Sequence, residues 1–432
     1  MMSSGSSGGR APHRRGDEVP SMSTIASDHA AASLAVPVRG VDVPPFYTSL
    51  VARQAADLKR AGRTVVPMHF GQPSAGTPPA ARAAAARALA LDPTGYVESR
   101  ELIERIARHY AEVYGVDVAP RRILLTNGAS AALVAAFAAL FGPGDRIGIG
   151  RPGYPAYRNA LAALSREAVE IDCGPDSSFR LTAGALAAVD PPLNGVVIAS
   201  PANPTGAMLD RAQLAALAGE CRARGIRLLS DEIYHGISFG ARAVSALEVE
   251  PEAIVINSFS KLYRMPGWRL GWLVVPEALA SRLSAYVINL FLTPPTLSQH
   301  AALAAFDDSA ELARSVETYR VNRDLLLGGL AAMGITRIAP PDGAFYLYAD
   351  VGHLTRDSLA FCQRLLAETG VATAPGIDFD PVRGHRCIRL SFAITTPEVA
   401  QALALLGPWL AGQPRLEARP AEFPDASGAG AG

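Results

Sequence analysis

Four cysteines in 432 residues, Cys173, Cys221, Cys362 and Cys387, make no C-x-x-C pair and no Cys/His cluster at ligand spacing. That argues against a disulfide framework and a metal centre, and suits buried thiols in a reducing cytoplasm. Excess charge is missing too. Lys+Arg and Asp+Glu both number 40, so nothing recommends nucleic acid or anionic lipid as a partner. No apolar run approaches the about 20 residues that cross a bilayer. The best, "AALVAAFAALF" (131–141), lies between Gly128 and Gly142 and reads as a buried helix. The start, "MMSSGSSGGRAPHRRGDEVPSM", has basic residues but no apolar signal-peptide core, and Met22 is a second candidate start after Met1. There is no internal repeat. With 49% hydrophobic residues, a soluble enzyme or binding protein of two or three lobes is what remains.

Residues 1–40 are rich in Ser, Gly and Ala without sustained periodicity and read as a flexible tail, as does "GQPRLEARPAEFPDASGAGAG" (412–432). Between them, β-rich runs alternate with helical stretches. The strand candidates are "RILLT" (122–126), "RIGIG" (146–150), "AVEID" (168–172), "GVVIAS" (195–200), "IRLLSDE" (226–232), "AIVINSFS" (253–260) and "RLGWLVV" (269–275). "LDRAQLAALAGECRAR" (209–224) carries the apolar spacing of a helix. Such alternation predicts an α/β sheet covered by helices on both faces. After a helical region at about 277–333, "GAFYLYADV" (343–351), "GVATAPG" (370–376) and "RCIRLSFA" (386–393) read as a smaller α+β lobe. The expected division is a large domain over 72–295 and a small one over 296–411, with 41–71 contributing to the small one.

In open α/β sheets, ligands bind where strands end. "TNGASAAL" (126–133) offers backbone N–H groups and Ser130 at a helix start, a place for phosphate, though such a stretch is more often a plain turn. Tyr154 in "RPGYPAY" (151–157) suits either ring stacking or core packing. "SPANPTGAML" (200–209) holds Asn203 between two X-Pro bonds, too constrained for a mere surface turn. Asp231, ending the strand in "LLSDEIYHGISF" (228–239), is either a helix cap or a buried carboxylate needing a partner, with Tyr234 three residues on. In "NSFSKLYRMPGWRLGWLVV" (257–275), Lys261 could be an ordinary solvated lysine. Ser258, Ser260 and Arg269 around it argue instead for a phosphate clamp about an amine. One ligand answers all five stretches: a phosphate, a flat ring with a cationic nitrogen, a phenolic oxygen and an aldehyde. That is pyridoxal phosphate, held through Lys261 as a Schiff base.

From about residue 40 to 411 the chain resembles the class I/II pyridoxal-phosphate-dependent aminotransferases of the aspartate aminotransferase superfamily, fold type I. The resemblance rests on "SPANPTG", "SDEIY", "SFSKLYRMPGWRLG" and "IRLSFA" in the family's order. It implies a mostly parallel seven-stranded sheet sandwiched by helices, plus a smaller α+β domain. It implies ping-pong transfer of an amino group between an L-amino acid and a 2-oxo acid, with Lys261 as Schiff base and proton shuttle. Asp231 would pair with the pyridine nitrogen, Asn203 and Tyr234 with the phenolic oxygen, and Tyr154 would stack on the ring. Ser258, Ser260, Arg269 and the Gly128–Ala129–Ser130 turn would hold the phosphate. Arg389 in "CIRLSF" would take the substrate carboxylate, with Asn203 and Gly71 beside it. The family's usual homodimer would bring Tyr96 to the neighbour's phosphate. The chain departs from the pattern in a shortened link after Tyr96 and in "PGIDFDPV" (375–382), where relatives often have glycine after the phenylalanine. A carbon–sulfur β-lyase on the same fold is the alternative. A cofactor-binding regulator would need a DNA-binding domain that the N-terminal tail is too short to supply.

Overall fold

A computed structural model describes residues 41–91 and 93–416. The two tail expectations therefore lie largely outside the described residues, and Met22 wholly so. Every one of the seven strand candidates of the first half becomes a strand of one sheet. They are β2 (Ile123–Thr126), β3 (Arg146–Arg151), β4 (Glu167–Asp172), β5 (Gly195–Ala199), β6 (Arg227–Asp231), β7 (Ile254–Ser258) and β8 (Gly271–Val274). Their spatial order is β2-β8-β7-β6-β5-β3-β4, parallel except for β8, which runs against both neighbours. The central strands are buried along their length, as expected of strands covered on both faces.

The helices start and stop where local chemistry directs. Helix Arg211–Arg224 opens on a capping box between Asp210 and Gln213 and closes at Gly225, with φ +65°. Helix Gly128–Leu140, the apolar run singled out above, buries nine of its residues against the sheet. Among the described residues, no helix is long and apolar enough to cross a membrane.

The remaining strands are β1 (Val66–Pro67), β9 (Tyr346–Asp350), β10 (Val371–Ala372), β11 (Ala374–Pro375) and β12 (Cys387–Ser391). They form an antiparallel sheet in the order β11-β12-β9 and a short parallel pair, β1 with β10. One apolar cluster unites Val51, Val66 and Met68 with Phe345, Leu347, Ile388 and Leu390. The N-terminal stretch thus packs with elements some 300 residues away. The carboxylate of Asp378 fastens it there, accepting from the backbone N–H groups of Tyr47 and Thr48 (both 2.7 Å) and from the Thr48 hydroxyl (2.6 Å).

Candidate active site

The loops leaving the C-terminal ends of β2, β3, β5, β6 and β7 open on one edge of the sheet. There they border a cavity of about 220 Å³, whose wall includes Tyr154, Asn203, Asp231, Lys261, Arg269 and Arg389. A larger cleft of about 560 Å³ beside Leu91 and His300 holds no comparable set.

β6 delivers Asp231, 4% exposed, to the cavity floor. Its carboxylate accepts from the Tyr157 hydroxyl at 2.6 Å and the Ile233 N–H at 3.1 Å. Burial pushes this acid up, while these two donors and the Lys261 amine pull it back. Tyr157 stands one turn into helix Pro155–Ala163, which begins directly after Tyr154, and the two rings meet edge to face at 5.5 Å.

Lys261, half-buried in the turn after β7, donates from Nζ to the Gly71 carbonyl at 2.5 Å. Burial first, then Arg389 and Arg269, bring its amine down to about 8, against the pull of Asp231. The Tyr234 hydroxyl lies 2.7 Å from that of Tyr346. Gly71 is glycine for a steric reason: a Cβ there would sit 2.3 Å from the Tyr346 hydroxyl.

Arg389, on β12 and 2% exposed, donates to the Asn203 side-chain oxygen (2.9 Å) and the His69 carbonyl (2.7 Å). Guanidinium only donates, so Asn203 presents its amide oxygen here and keeps two N–H donors for a ligand. The Arg389 Nε has no partner, nor has either ring nitrogen of the buried His69. Burial and then Arg389 hold that imidazole down at about 4 and therefore neutral. An arginine fixed this tightly, with an orphan donor, is built to receive an anion.

At the opposite end, the Arg269 guanidinium lies across the start of helix Gly128–Leu140. A Cβ on Gly128 would come within 2.4 Å of it. The exposed Ser130 and buried Ser260 share this wall. Ser258 lies behind, away from the cavity wall. Its hydroxyl donates to the Leu270 carbonyl (3.0 Å) and meets that of Ser260 (2.8 Å), so it positions Ser260. Tyr96 stands outside this wall, 83% exposed.

These residues fit pyridoxal phosphate: an anion cradle that only glycine permits at 128, a buried carboxylate, and an amine drawn toward neutrality. The family model for class I and II aminotransferases matches residues 63–406. The chain belongs to the class I and II aminotransferases. It is 49% identical to the valine–pyruvate aminotransferase of Mycobacterium tuberculosis, over 86% of this chain and 97% of that one. To the aspartate/prephenate aminotransferase of Thermus thermophilus it is 33% identical, over 83% and 94%. A crystal structure of an aminotransferase from Mycobacterium tuberculosis superposes with a TM-score of 0.84 at 49% identity, covering 86% of this chain and 98% of that one. Aspartate aminotransferase from Thermus thermophilus with maleate gives 0.80 at 31% identity, over 86% and 100%. The aminotransferase described here is thus a pyridoxal-phosphate-dependent enzyme of amino-group transfer.

Sequence reading missed Tyr157, Tyr346 and His69. Tyr157 had a usable signal, three residues after Tyr154 where a helix begins. The departure at "PGIDFDPV" has a physical account in Asp380. Its carboxylate accepts from the N–H groups of Val382 and Arg383 (both 2.9 Å) and from Arg383 Nε (3.3 Å). Arg383 in turn pairs with Asp172 and closes over Gly174.

Proposed function

We propose that the aminotransferase takes its amino group from a neutral, apolar amino acid such as valine, with pyruvate as acceptor. One observation carries this reading. The cavity wall contributed by one chain holds three basic side chains, Lys261, Arg269 and Arg389, and each has a task. Arg269 would take the phosphate, Lys261 the aldehyde and Arg389 the α-carboxylate, leaving none for a side-chain carboxylate. The mouth is instead flanked by the half-exposed rings of Phe46 and Phe70. Covering them with an aliphatic side chain gains about 0.8 kcal/mol per buried methylene. The valine–pyruvate activity of the 49% identical relative supports the same choice.

When bound, pyridoxal phosphate supplies an electron sink for the charge left on the substrate Cα. The chain does the rest. Asp231, whose carboxylate accepts from the Tyr157 hydroxyl and the Ile233 N–H, would hold a proton on the ring nitrogen. Tyr154 would stack on the ring, and Asn203 and Tyr234 would hydrogen-bond the phenolic oxygen. Ser130, Ser260, Arg269 and the Gly128–Ala129 turn hold the phosphate, with Ser258 fixing Ser260. Lys261, its amine brought down to about 8, would tether the aldehyde and serve as general base for the proton at Cα. Arg389 fixes the carboxylate by its flat fork, beside Asn203 and Gly71.

The working unit in this reading is a homodimer. Leu89 and Leu91 close helix Pro79–Leu91, which packs along helix Thr296–Phe306. Ile288, Leu290 and Leu292 lie just before that helix, and all five are exposed. Such a patch marks an interface. Tyr96 is exposed on a pinned segment, with the Gly95 carbonyl held by Thr296 (2.6 Å) and that of Val97 by Gln299 (2.8 Å). Four buried, free cysteines favour a cytoplasmic setting.

The test is a single-turnover panel of donors on the loaded enzyme, read as keto acid formed. Valine is expected to exceed aspartate by about 100-fold or more in kcat/KM. Equal rates would defeat the assignment.

A further inference from the structure

Tyr346 has no part in the scheme above, yet it touches more of the machinery than most residues that do. It is wholly buried on β9. In the register with β12, Tyr346 faces Ser391, and Arg389 pairs with Tyr348, so Tyr346 and Arg389 are diagonal neighbours on one sheet face. The Arg389 guanidinium carbon lies 4.4 Å from the Tyr346 ring centroid and 4.7 Å from that of Phe379. The guanidinium thus lies over both rings. The Tyr346 hydroxyl points the other way, to the Tyr234 hydroxyl at 2.7 Å, and it crowds Gly71, whose carbonyl takes the Lys261 amine.

The hydroxyl pair has a defined polarity once a ligand is considered. Tyr234 has one hydrogen. If it donates to the cofactor's phenolic oxygen, it can only accept from Tyr346, and a hydroxyl that accepts becomes the stronger donor. We propose that Tyr346 is a positioning residue with two separable parts: its ring holds Arg389 flat for the carboxylate, and its hydroxyl turns the Tyr234 hydrogen toward the cofactor. This rests on the roles given above to Tyr234 and Arg389. Burial keeps the Tyr346 phenol up at about 12, so it remains a neutral donor through the working range. The charged and titratable groups facing the pair are Arg389 and Tyr154, with the Lys261 amine 5.8 Å from the Tyr234 ring.

The experiment uses the loaded enzyme and two readouts other than turnover. One is the pH midpoint of the bound cofactor's visible band. The other is the dissociation constant of isovalerate, an unreactive monocarboxylate, read from its effect on that band. Tyr346→Phe keeps the ring and loses the hydroxyl. A weaker Tyr234 donor leaves the phenolic oxygen more basic, so the midpoint should rise by about half a unit while isovalerate affinity stays within about twofold. Tyr346→Leu also loses the stack and should weaken isovalerate about fivefold or more. A midpoint unmoved in Tyr346→Phe overturns the proposal, as does wild-type isovalerate affinity in Tyr346→Leu. Should the leucine variant fail to fold, the phenylalanine variant decides alone. Tyr234→Phe separates the layers. If it moves the midpoint and Tyr346→Phe does not, only the present inference falls; if neither moves it, the role of Tyr234 falls as well.

Discussion

Replacing Gly128 by alanine tests the phosphate cradle with a single methyl group. Gly128 sits at φ +78°, and an added Cβ would lie 2.4 Å from one terminal nitrogen of Arg269 and 2.8 Å from the guanidinium carbon. Two costs follow, and they fall on different states. Alanine in a left-handed conformation costs about 1 kcal/mol whether or not the cofactor is bound. The steric cost falls on the loaded state. To restore ordinary contact, the guanidinium must retreat by about 1 Å, leaving its hold on the Pro266 carbonyl at 3.0 Å and the place where a phosphate would meet it. A charge-assisted hydrogen bond is worth about 1.5–3 kcal/mol, so cofactor affinity should fall about tenfold to a hundredfold. The assay is a fluorescence titration of the unloaded variant with pyridoxal phosphate, beside a thermal melt of the same sample. A variant that melts a degree or two lower yet binds cofactor as the wild type does would refute the steric argument.

Two further substitutions address the two ends of the ring. In unloaded enzyme, the Lys261 amine is drawn from 10.5 to about 8, so its charged form is penalised in the fold. That cost is full below about pH 8 and fades as pH rises to 10.5. Lys261→Met should therefore stabilise the unloaded protein by up to about 3 kcal/mol at pH 7 but not at pH 10.5. Urea melts check this, and an equal gap at both pH values would count against it. Tyr157→Phe removes a hydroxyl that donates to Asp231 at 2.6 Å. Asp231 is already pushed up by burial and should rise further, moving the acid limb of kcat/KM up by about one unit. An unmoved acid limb would show that Tyr157 serves only packing.

What the sequence made legible was local. Each strand candidate was a short apolar run, and three central ligand-side residues lie at or just past the end of one: Asp231 on β6, Lys261 on the turn after β7, Asn203 on the loop after β5. A parallel sheet places all such ends on one edge, so finding the strands was nearly enough to assemble the site. Ser258 shows the limit of that logic. As the last residue of β7 its side chain alternates away from the cavity, and its hydroxyl goes to Ser260 and the Leu270 carbonyl instead.

What stayed hidden lies at long separation. The Tyr157–Asp231 bond spans 74 residues, Tyr234–Tyr346 spans 112, and Asn203–Arg389 spans 186. No local pattern fixes such pairings: the first depends on how a helix lies over its own sheet, the other two on how two sheets are brought together. Tyr346 illustrates why strand parity alone was not sufficient. In "GAFYLYADV", Tyr346 and Tyr348 share one face and Phe345 and Leu347 the other, and all four are buried. The alternation that usually separates core from site is erased when both faces of a strand are covered. Only the register with β12, two residues offset from Arg389, makes Tyr346 the ring beneath the arginine. The choice between an aromatic that fills space and one that directs chemistry was set by that offset.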